Sequence, residues 1–93
     1  MSNPLSKLAD KIIQEQAVIM GPIAWEQAKK VSGLRINVQD HEVDIEGDAR
    51  DVLERLVAQY EKLFGLASRE VCRDAVRPLL SQVPESDIPA VLK

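Results

Sequence analysis

Ninety-three residues, 45% apolar and 29% charged, predict one soluble domain with a core of its own, and exclude a disordered tail or a disulfide-stapled miniprotein. A net charge of −3, from 15 acids against 12 bases, excludes a generic nucleic-acid binder, which needs a dominant basic surface to displace phosphate counterions. The lone Cys72 rules out an internal disulfide and any zinc-knuckle spacing, and suits a reducing cytoplasm.

At the start of the chain, Asn3-Pro4 reads as a helix N-terminus, a capping side chain followed by proline at the first helical position. Leu5, Leu8, Ala9, Ile12 and Ile13 then mark one apolar face, with Lys7, Lys11 and Glu15 turned to water. From Ala17 the pattern changes: residues 17–20 are apolar all round, Gly21-Pro22 follows, and Ile23-Ala24-Trp25 comes next. Glycine and proline together break the helix. A second helix is expected from Pro22 to about Val31, with Glu26 and Lys30 paired on its outside and Ser32-Gly33 ending it. The apolar run at 17–20 is too short for a secretory leader and lies behind a charged helical segment, so none is expected.

Residues 34–46 carry the one strand signal. Leu34, Ile36 and Val38 alternate with polar residues, as do Val43 and Ile45. With Asp40-His41 as a two-residue turn, Val38 would face Val43, Ile36 would face Ile45, and Arg35 would stand opposite Glu46 on the wet face. A two-stranded hairpin is marginal alone, so its apolar face must lie on helices or be extended by a partner chain.

The strongest periodic signal spans residues 48–65. Val52, Leu53, Leu56, Val57, Tyr60, Leu63 and Phe64 form one stripe, Asp48 is a plausible N-cap and Gly65 a C-terminal stop, with Asp51 and Arg55 paired outside. This helix is expected to organise the rest. A last helix runs from Leu66 to about Gln82, with Val71, Cys72, Ala75, Val76, Leu79, Leu80 and Val83 inward. Pro78 falls inside it, deletes a backbone bond and clashes with the carbonyl of Asp74, so a kink or stop near Arg77 is expected. The tail 84–93, with Ile88, Val91 and Leu92, either docks as a short helical turn or frays. The fold class is therefore α+β, mainly helical, with residues 1–93 as a single domain.

Chemistry-bearing residues are few. Glu42, Asp44 and Glu46 share a strand face beside Asp40, His41 and Asp48, but strand carboxylates two apart diverge too far for a tight oxygen cage, and a solvated face is the expected role. Cys72 lies on the apolar stripe with no second thiol or histidine near it, which makes it a small core residue. Arg69, Arg73 and Arg77 form a row able to contact an anion, with Glu70 and Asp74 alongside to neutralise it. Neither a phosphate loop nor a Ser-His-Asp set is present. No catalytic residue, metal ligand or cofactor is assigned, and an enzyme is disfavoured.

Ile19-Met20-Gly21-Pro22-Ile23-Ala24 resembles the Ile-Gly-Pro-Ile-Ala turn that opens a helix in small modules appended to bacterial regulatory and signalling proteins, some with roadblock-like or forkhead-associated domains. Six residues carry the resemblance, and Met20 departs from its aliphatic-Gly spacing. It implies a regulatory interaction role and supplies no site residues. The leading expectation is a non-enzymatic protein–protein interaction or oligomerisation module. Its interface would be Val18, Ile19, Met20, Ile23 and Trp25, a segment without a wet face that a second copy would cover by two-fold symmetry. The alternative is an effector-sensing domain with a pocket between the helices and the hairpin.

Overall fold

Leu8, Ala9, Ile12 and Ile13, all within 1% of complete burial, identify the helix on which the others are laid. The computed structural model describes residues 4–37, 39, 40 and 42–93. The expected N-cap Asn3 and the hairpin residues Val38 and His41 lie outside them. In chain order the described elements are helices α1 (Pro4–Met20) and α2 (Ile23–Ala28), strands β1 (Leu34–Asn37) and β2 (Glu42–Ile45), and helices α3 (Ala49–Phe64) and α4 (Leu66–Val76). Three 3-10 segments follow, Arg77–Gln82, Glu85–Asp87 and Ala90–Leu92. The fold is α+β and mainly helical. No helix among the described residues is long and apolar enough to cross a membrane.

The helix signals operate as the sequence implies, with local differences. Asp48 caps α3 by accepting from the N–H groups of Arg50 and Asp51, two donors with no partner inside the helix. Gly65 closes it at φ 81° and ψ −170°, a positive-φ but non-helical conformation open essentially to glycine alone. Pro78 ends the last α-helix early: α4 stops at Val76 and tightens into the 3-10 segment. α2 is shorter than expected, ending at Ala28. Arg55 does not pair with Asp51 but donates to the carbonyl of Ser32 at 3.0 Å, tying the entry of β1 to α3.

The hairpin register differs from the expected one by two residues. Leu34 pairs with Ile45, Arg35 with Asp44, Ile36 with Val43 and Asn37 with Glu42, so the pairings Val38 with Val43 and Ile36 with Ile45 are corrected. Four residues form the connection, because side chains make the turn. The Asn37 amide oxygen accepts from the Gln39 N–H, and the Asp40 carboxylate accepts from the Glu42 N–H, each at 3.1 Å. A two-residue slip preserves which side chains share a face. Leu34 and Val43 are buried, Ile36 and Ile45 half-buried, and β2 lies on α1. Arg35 still reaches Glu46 at 3.0 Å, now diagonally.

The tail docks. Ile88 and Leu92 join the core, and Arg73 Nε holds the segment by donating to the carbonyl of Val91 at 3.0 Å.

Two stability outcomes follow from this packing. Val43→Lys should cost about 3 kcal/mol or more, while Asp44→Lys on the opposite face should cost less than about 1 kcal/mol, in urea unfolding. Equal costs would mean the alternation defines no inside. At Gly33, with φ +88°, a Cβ would sit 2.7 Å from Val52 Cγ2 and 3.0 Å from the Glu46 carbonyl oxygen. Gly33→Ala should therefore lower stability by about 2 kcal/mol or more, read from the same melts.

Candidate interaction surface

Two buried hydrogen bonds bring both helix–helix corners of the chain to one end of the molecule. Gln16, near the end of α1, is almost fully buried, and its Nε2 donates to the carbonyl of Ser68 in the first turn of α4 at 3.2 Å and lies 3.4 Å from Cys72 Sγ. Tyr60, one turn before the end of α3, donates its hydroxyl to the carbonyl of Ala24 at 2.6 Å. The α1–α2 corner at Gly21-Pro22 and the α3–α4 corner at Gly65 are thereby held side by side.

The apolar side chains at this end are uncovered. Val18 is 81% exposed, Leu66 68% and Ile19 66%, with Ile23, Leu63 and Phe64 near half. Three of these, Val18, Ile19 and Ile23, belong to the segment expected as an interface. Met20 and Trp25, also expected there, are instead half-buried against the core. Leu63 and Phe64 correct the sequence reading. They continue the α3 stripe in register but lie beyond the reach of its neighbours, where the chain turns away at Gly65. Six such side chains exposed at one end form an apolar patch of the kind that marks an interaction surface.

A groove of about 500 Å³ runs from this end between α1 and α4. Val18, Ile19, Val71, Ala75 and Pro78 line it, with Lys11, Glu15 and Asp74 at its edges. Lys11 and Glu15 pair with each other at 3.1 Å, and Asp74 with Arg77 at 3.1 Å.

The arginine row is divided among separate internal partners. Arg69 forks onto both Glu61 oxygens at 2.9 and 3.1 Å, Arg73 holds the tail, and Arg77 pairs with Asp74. The strand carboxylates Glu42, Asp44 and Glu46 are exposed. No group of three or more His, Cys, Asp or Glu that could hold a metal ion occurs among the described residues.

Cys72 is fully buried. Burial pushes its thiol up to about 11, against a lowering hydrogen bond from Gln16 and with a smaller raising contribution from the Glu61 charge. A protonated, enclosed thiol is a poor nucleophile. Burial also raises the Tyr60 hydroxyl above its ordinary range. The polar Gln16 is the residue the sequence reading passed over. Its position, four past Ile12 and three past Ile13, places it on the buried stripe.

Comparison with known protein families, with curated proteins and with solved structures gives no match to this chain.

The raised thiol makes stability depend on pH in one direction. Its ordinary value is 9.0 and its folded value about 11, so the stabilisation is complete below about pH 9 and is lost as the pH rises through 11. Tyr60 acts in the same direction from its ordinary 10.0 upward. Cys72→Ala should therefore move the onset of alkaline destabilisation from near pH 9 to near pH 10 in urea melts taken between pH 7 and 11. Superimposable wild-type and variant profiles would contradict the assignment.

Proposed function

We infer that this chain is a non-enzymatic interaction module that works by self-association, with the apolar end as the surface a second copy covers. One observation carries this reading: six large aliphatic and aromatic side chains stand exposed at the two adjoining corners, while the other large apolar side chains of α1 and α3 are buried or half-buried. Leaving such a surface in water is unfavourable, at roughly 25 cal/mol per Å² of apolar area, and association removes that cost. The resemblance of residues 19–24 to turns in bacterial regulatory modules supports a regulatory setting. An effector-sensing role is the second reading. The groove between α1 and α4, lined by no hairpin residue, takes the place of the pocket expected between the helices and the hairpin, and a ligand that fills it would raise the melting temperature by mass action.

Self-association is tested by sedimentation and light scattering from roughly micromolar to near-millimolar chain. The mass should rise from the 10.3 kDa monomer toward a dimer. Ile19→Glu and Leu66→Glu, each placing a charge on the exposed patch, should weaken the dimer tenfold or more, whereas Asp44→Ala should leave it unchanged. Trp25→Ala is the poorer probe, since Trp25 also packs on the core. A strict monomer throughout that range would overturn the reading.

A further inference from the structure

We propose that the two copies meet crosswise, the α3–α4 corner of one seated on the α1–α2 corner of the other, with Lys62 of each copy facing Glu26 of its partner. This deepens the self-association reading and rests on it. Both corners are apolar at their tips. One presents Val18, Ile19 and Ile23, the other Leu63, Phe64 and Leu66. The hydrogen bonds from Gln16 to Ser68 and from Tyr60 to Ala24 hold both at the same end. A two-fold axis through that end can therefore bring each corner of one copy onto either corner of the other, and it makes every contact twice.

Charge decides which corner meets which. Around the patch the charges are largely used within the chain: Glu15 pairs with Lys11, Glu61 with Arg69, and Glu70 lies 4.0 Å from Arg73. Two exposed charges next to the apolar side chains take part in none of the ion pairs among the described residues. Glu26 is three residues past Ile23 on the face of α2, and Lys62 directly precedes Leu63 at the end of α3. Lys29 and Lys30 lie past the far end of α2. Pairing like corners would set Glu26 against Glu26 and Lys62 against Lys62, which is repulsive. Pairing unlike corners sets opposite charges together in two symmetric places.

Six side chains a side make a small interface, so the expected association is reversible and concentration-dependent.

Charge reversal on the full chain tests the arrangement. Sedimentation equilibrium is run on wild type, Glu26→Lys, Lys62→Glu and the double variant, with circular-dichroism melts confirming that all four fold alike. Each single reversal should weaken dimerisation threefold or more, by setting like charges together, and the double reversal should restore it to within twofold of wild type. Added salt should shrink the differences. A wild-type dimer whose double variant is no better than the singles would overturn the crosswise arrangement and leave self-association standing. A wild type that stays monomeric would overturn both, and the exposed end would then belong to a different partner.

Discussion

The fold depends on the enclosure of α1. Its residues Leu8, Ala9, Ile12 and Ile13 are excluded from water almost completely, and α2, α3, α4 and β2 each pack on it. A helix wrapped on so many sides needs more covering surface than a chain of this size supplies in surplus. Its outer face, in water at Lys7 and Gln14, turns apolar only in the last turn, where Val18 and Ile19 emerge. Gln16 is the last fully buried residue on its inner face. A buried amide has polar groups to satisfy, and Gln16 Nε2 donates to the carbonyl of Ser68 and to Cys72 Sγ. Such a bond contributes only about 1 kcal/mol net, but leaving a buried polar group unpaired costs about 1–3 kcal/mol. The amide therefore penalises any sliding of α1 along α4 more than it stabilises the native pairing. Tyr60 does the same for α3 against α2.

Much of this architecture is legible in the sequence, and the misses share a cause. Capping by Asp48, termination at Gly65, the stop before Pro78 and the inward face of the hairpin are local matters, set by one side chain or by period-two alternation. The alternation places the turn at Asp40-His41, whereas Asn37 and Asp40 each accept from a backbone N–H two residues on and the connection runs to four residues. The parity survived since the slip was even. The organising helix was also misplaced. Residues 48–65 have the cleaner stripe, but a clean stripe means that one face is polar and solvated. The central helix has a polar face as well, at Lys7 and Gln14, and what sets it apart is that α2, α3, α4 and β2 all pack on its buried one.

The candidate surface was half legible. A run with no wet face, residues 17–25, signals that something must cover it, and Val18, Ile19 and Ile23 stand uncovered as that logic requires. What periodicity cannot reveal is how far a stripe's neighbours extend. Leu63 and Phe64 keep the helical spacing of Val52 to Tyr60, and nothing in that spacing shows that they stand about half exposed. Leu66, just past Gly65, reads as the first residue of a new helix rather than as part of a patch. Long-range pairing of the two corners depends on Gln16 and Tyr60, two polar atoms among apolar ones.

The tail explains why this end stays open. With three 3-10 segments and three prolines, residues 77–93 form no further α-helix, yet they bury Val83, Ile88 and Leu92. Arg73 reaches the Val91 carbonyl, and Lys93 approaches Glu85 at 3.8 Å, so the segment folds back on α4 rather than reaching the corners. Arg73 lies seven residues past Leu66, about two helical turns or ~10 Å along α4, and that distance separates the docked tail from the exposed corner. The last apolar side chains of the chain are thus consumed in covering the middle and C-terminal half of α4. Nothing within the described chain remains to cover Val18, Ile19, Ile23, Leu63, Phe64 and Leu66, and they stand in solvent.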